Sequence, residues 1–87
     1  MKNFPQLTSQ QVALVRADFK TGEILDAAFS PAVNEIQEVY TIFNSQAEAV
    51  EYAKSLINDR PDIECVIQGP NEELLKYLTP ENFKTIQ

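Results

Sequence analysis

Gly22 lies between two runs that each read as β-strand, Val12–Asp18 before it and Glu23–Phe29 after it. The link Phe19-Lys20-Thr21-Gly22-Glu23 predicts a three-residue loop. Gly22 takes the positive-φ position that closes a type I turn with a G1 bulge. Such a loop dictates the register. Phe19 faces Glu23, Arg16 falls opposite Asp26, Ala17 meets Leu25, Val15 meets Ala27 and Ala13 meets Phe29. Small side chains then oppose larger ones, all but Val15–Ala27, and Arg16 and Asp26 pair opposite charges across the strands.

Beyond the hairpin, Ser30-Pro31 ends the second strand, because proline has no N–H to give a ladder. Residues 32–37 read as loop, and Glu38–Phe43 is a third strand by its β-branched and aromatic content. Ser45 with Glu48 is a capping box that opens a helix. Ala49, Val50, Ala53, Leu56 and Ile57 make its apolar stripe, and Pro61 stops it near residues 58–60. Ile63–Gln68 alternates as a fourth strand. Gly69-Pro70 breaks the chain, Asn71 caps a short helix through about Leu78, and Thr79-Pro80 starts a last turn reaching Phe83.

The expected fold is α+β, a two-layer α/β sandwich in β-β-β-α-β-α order. Its four-stranded mixed sheet has the third and fourth strands parallel and the helices on one face. The length of 87 residues argues for a single domain, 1–87, with 1–10 as a loosely ordered lead-in. The core side is expected to carry Ala13, Val15, Ala17, Leu25, Ala27, Phe29, Ile63, Cys65 and Ile67. The opposite face then carries Val12, Leu14, Arg16, Ile24, Asp26, Ala28, Glu64, Val66 and Gln68. Within it Val12, Leu14, Arg16, Ile24, Asp26 and Val66 form the candidate interaction face, beside an aromatic of the third strand.

Catalytic signals are missing. The chain has no histidine and one cysteine, Cys65. That removes the usual Ser-His and Cys-His nucleophile pairs, an intramolecular disulfide and a structural zinc site. Cys65 reads as a buried small residue between Ile63 and Ile67. Asp18 to Asp26 lacks the ligand spacing of a calcium loop and is explained by the turn. Gln68-Gly69-Pro70-Asn71 lacks the glycines and lysine of a phosphate-binding loop, and Glu72 and Glu73 supply negative charge there. No catalytic, cofactor-binding or metal-binding residues are assigned, and no cofactor is expected.

Net charge is −6, concentrated in residues 35–73, where nine acids face only Lys54 and Arg60. An acidic surface repels phosphate backbones, so direct nucleic-acid binding is not expected. No apolar run follows Met1-Lys2 and none nears the ~20 residues of a membrane helix, so a cytoplasmic protein without membrane contact is expected. The functional expectation is a non-enzymatic protein-interaction module, a regulator, adaptor or inhibitor. It would bind a protein partner or itself, as a homodimer, through an open sheet face or edge. The alternatives are a small-ligand binder with a pocket near Gly69–Glu73 and Tyr77, and an acidic nucleic-acid mimic.

Overall fold

The computed structural model describes residues 4–34 and 36–85. Five strands and two helices follow in the order β1 (Val12–Asp18), β2 (Ile24–Leu25), β3 (Tyr40–Phe43), α1 (Gln46–Asp59), β4 (Ile63–Gln68), β5 (Leu74–Leu78) and α2 (Pro80–Thr85). The chain is a small α+β protein, as expected, but its sheet is antiparallel rather than mixed. β1 lies in the middle. On one side it pairs with β4, which pairs in turn with β5. On the other side it pairs with β2 at Arg16 and Ala17 and with β3 from Val12 to Val15, so two short strands share one flank. β3 and β4 run in the same direction, as expected of strands joined through α1, yet β1 separates them and no parallel pair forms among the described residues.

The hairpin register differs from the expected one by a single residue. Arg16 pairs with Leu25 and Ala17 with Ile24. The loop holds four residues, Phe19 to Gly22, closed by the Asp18 N–H donating to the Glu23 carbonyl at 2.9 Å. The Asp18 carboxylate supplies the reason. Its Oδ1 accepts from the Lys20 and Thr21 amides at 2.8 and 3.1 Å, which winds the chain one residue further before Gly22 turns it at φ 77°. β2 then stops after two residues. Asp26 Oδ1 accepts from the Ala28 and Ser30 amides, both at 2.9 Å, and draws the chain away from the ladder. The positions of β1 expected to pair with Ala27 and Phe29 pair with Tyr40 and Ile42 instead. Aromatic and β-branched residues fit a pleated surface better than the Ala-rich stretch they displace.

The one-residue change of register reverses the facing of β1 relative to β2. Val12 and Leu14, expected on the open face, belong to the core under α1 with Leu25, Ile63, Cys65, Ile67 and Leu78. From the helix, Ala49, Ala53 and Ile57 complete that cluster, and Val50 and Leu56 pack against it. The Ser45 cap holds as read, its Oγ accepting from the Glu48 N–H at 3.2 Å. The two fully buried alanines let α1 sit close to the sheet. Each large aliphatic side chain buried there contributes about 1.5–3 kcal/mol. Ala13, Val15 and Ala17 face the other way.

Leu74–Leu78 is a strand, not the expected helix. Gly69 N–H donates to the Glu73 carbonyl at 2.9 Å and Glu72 N–H to the Gly69 carbonyl at 3.0 Å, which closes a hairpin. Glu72 has φ 61°, a left-handed value that a right-handed helix through Asn71 does not admit. Pairing with β4 outweighs the helical spacing of three leucines, because so short an isolated helix does not hold itself together. The last turn is helical as expected, and α2 packs against α1.

Candidate functional site

The six residues expected to form one interaction face are divided. Val12, Leu14 and Arg16 are buried on the side that α1 covers, Arg16 with 1% of its surface exposed. Ile24 and Val66 lie half-buried on the opposite side, where Val15, Val39, Tyr40 and Gln68 join them around a cavity of about 180 Å³. Asp26 is half-buried in the loop that leaves β2. The side away from α1 is not bare either. Phe4, in the lead-in, meets the Tyr40 ring edge-on at a centroid distance of 5.4 Å.

Arg16 is the largest fully buried side chain. On β1 it pairs with Leu25 on one flank and Cys65 on the other. Its Nη2 donates to Thr41 Oγ1, while Nε and Nη1 have no hydrogen-bond partner among the described residues. Burial pushes the Cys65 thiol up to about 12, with the Arg16 charge working in the opposite direction. A thiol held in that state is no nucleophile at neutral pH.

The loop between β2 and β3 is built around the Gln37 amide. Oε1 accepts from the Val33 and Asn34 N–H groups at 2.7 and 3.0 Å. Nε2 donates to Asp26 Oδ2 at 2.7 Å and to the Pro31 carbonyl at 2.9 Å. Val33 and Ile36 stand at its exterior, 78% and 85% exposed.

The two outer edges of the sheet carry grooves of opposite charge. Where β3 runs into α1, a groove of about 580 Å³ is lined by Ile42, Phe43, Asn44, Ala47, Glu48 and Glu51. Its floor is apolar. Ile42 is 46% exposed, and the Phe43 ring lies 5.3 Å from that of Tyr52. The Glu48 and Glu51 carboxylates have no ion-pair partner among the described residues, so neither the return bond of a capping box nor a Glu51–Lys54 pair forms. At β5 a groove of about 280 Å³ is lined by Val50, Lys54, Lys76, Tyr77, Leu78 and Asn82. The sequence assigns Glu48 to a cap, and Glu51 lies one turn on, on the polar face of α1 near Lys54. The signal passed over is their i, i+3 spacing beside a strand end.

The Gly69–Glu73 turn is filled by its own side chain. Glu73 Oε1 accepts from the Asn71 N–H at 2.8 Å, and a Cβ added at Gly69 meets the Glu73 carboxylate at 2.6 Å. Among the described residues no three metal-ligating side chains converge, and no helix is long and apolar enough to cross a membrane. No family model matches the chain, and no match emerges among curated proteins or solved structures.

Proposed function

We propose that this chain is a non-enzymatic protein-interaction module that works through an edge of its sheet. The observation that supports the reading is the open outer side of β3. Among the described residues its only strand partner is β1, and Ile42 is exposed beside an apolar groove. An unpaired strand edge is a template for another backbone, and an apolar pocket next to it selects side chains. A small-ligand role draws less support. The cavity beside Tyr40 falls below the ~300 Å³ at which ligand pockets begin, the roomier groove at β3 is open rather than enclosing, and the Gly69–Glu73 turn is occupied by Glu73. The mimic reading gains little, because two of the thirteen acids are tied locally, Glu64 accepting from Tyr77 and Glu73 closing a turn.

The test is affinity capture from native-host lysate with the wild-type chain and an Ile42→Asp variant side by side, with light scattering on both. A protein retained by the wild type and lost with Ile42→Asp, or a wild-type dimer that the substitution splits, supports the reading. A monomeric wild type that retains the same proteins as Ile42→Asp, or none at all, overturns it.

A further inference from the structure

We infer that the β3 edge receives an extended segment of a partner protein that carries a lysine or arginine beside apolar side chains. This deepens the proposed interaction role and rests on it. Three observations converge on the same place. First, β3 pairs with β1 only, among the described residues, so its outer backbone groups face away from the sheet. A strand added there lies about 4.8 Å away and needs only about four residues to match Tyr40–Phe43. Second, just Asn44 and Ser45 separate β3 from α1, so the first turns of the helix rise beside that edge and form the second wall of the groove. Side chains of an added strand alternate between the two faces, meeting Phe43 and Ala47 on the α1 side and Ile42 on the other.

Third, the wall is negative. Glu48 and Glu51 stand on it without ion-pair partners among the described residues, and the only base in α1, Lys54, belongs to the groove at the other edge. A cation on the incoming segment meets both carboxylates while its neighbours cover the apolar floor. The net charge of −6 speeds the approach of such a segment and slows that of a second copy. A second copy offering β5, with Lys76, to β3 would also be a head-to-tail contact, which builds a ring or a filament rather than a two-fold dimer.

The experiment is a titration of the isotopically labelled full chain, followed by NMR, with two six-residue peptides of alternating valine and lysine or alternating valine and glutamate. The lysine peptide is expected to shift the resonances of Tyr40–Phe43 and Ala47–Glu51, less so at high salt. A Glu48→Gln/Glu51→Gln double variant should bind it about tenfold more weakly, the sum of two exposed ion pairs. These substitutions keep the helix N-terminus intact, and a Lys76→Glu variant serves as the control that binds as the wild type does. Equal binding of both peptides, no binding of either, or shifts confined to other elements overturns the inference. A wild-type oligomer that Lys76→Glu dissociates also overturns it. That result, or a natural partner retained equally by wild type and the double variant but lost with Ile42→Asp, leaves the interaction role standing.

Discussion

Gln37 Nε2 donates to Asp26 Oδ2 at 2.7 Å across the neck of the loop that joins β2 to β3. Each partner is used at several atoms. Asp26 also binds the Ala28 and Ser30 amides, and Gln37 also binds Val33, Asn34 and Pro31. Together they turn an irregular stretch into a shaped one. The Gln37 amide first, then the Ser30 amide, holds the Asp26 carboxyl below the usual 3.8.

Gln37→Glu therefore places a second carboxylate against Asp26. At neutral pH we expect a loss of stability, because the Gln37 Nε2 donor is gone and two like charges face each other. Stability returns toward the wild-type value as pH falls and one of the two carboxyls takes a proton. In the wild type the sign is opposite. A depressed folded-state value makes the ionised Asp26 stabilising above the unfolded value, and that contribution disappears as pH falls through the lowered one. Urea unfolding from pH 7 down to pH 2 checks both, and Asp26→Asn should lack the acid limb. A Gln37→Glu variant as stable as the wild type at pH 7 would remove the hub from the account.

Two of the three side-chain nitrogens of Arg16 are buried without partners among the described residues. Arg16→Met keeps much of the volume and deletes the charge. We expect stability to rise by about 1–4 kcal/mol, as happens when buried charges give way to apolar groups. Denaturant midpoints at pH 7 report the change. A fall in stability would mean that the field of Asp26 outweighs the desolvation of the guanidinium.

Cys65 should be silent toward a thiol reagent such as a water-soluble aromatic disulfide at pH 8, and react fully once the chain is unfolded. Its burial, and a thiol pushed up to about 12, leave almost no thiolate in the folded state. Reaction of the folded protein at the rate of a free thiol would contradict the placement of Cys65 against Arg16.

Glu72 is the non-glycine residue at the left-handed corner of the β4–β5 hairpin. Glu72→Gly relieves about 1–2 kcal/mol of steric cost and returns about 0.5–1 kcal/mol as unfolded-chain entropy. A net gain of up to about 1.5 kcal/mol is expected, read as a higher melting temperature. A loss would show that the Glu72 side chain holds the turn by contacts of its own.

Much of this architecture was readable from residues whose signals are local and one-sided. Ser45, the Ala49–Ile57 stripe and Pro61 mark α1 without ambiguity, and Ile63, Cys65 and Ile67 alternate cleanly. β1 offered no such contrast. Six consecutive residues, Val12 to Ala17, are buried, so alternation shows that there are two faces and not which is which. The choice rested on loop length, and Gly22 suits a three- or a four-residue loop alike. The deciding bonds come from the Asp18 side chain. Arg16 then misled, since a charge is read as outward and this one points in. β5 was hidden for a related reason. The turn that makes it a strand puts a glutamate where glycine is usual, and three leucines at helical spacing filled the gap. The β3 groove was not legible because it arises between a strand edge and a helix wall that only the folded chain brings together.

The sharing of one flank of β1 by β2 and β3 bears on how such a chain can change. The stretch between them departs from and returns to the same rail, and Asp26 and Gln37 cinch its neck like a drawstring. The Val33 and Ile36 side chains beyond the cinch stand in solvent, so exchanging them leaves the amide bonds that Gln37 makes and the ladder on either side as they are. Variation there is separable from the strand edge where binding is proposed.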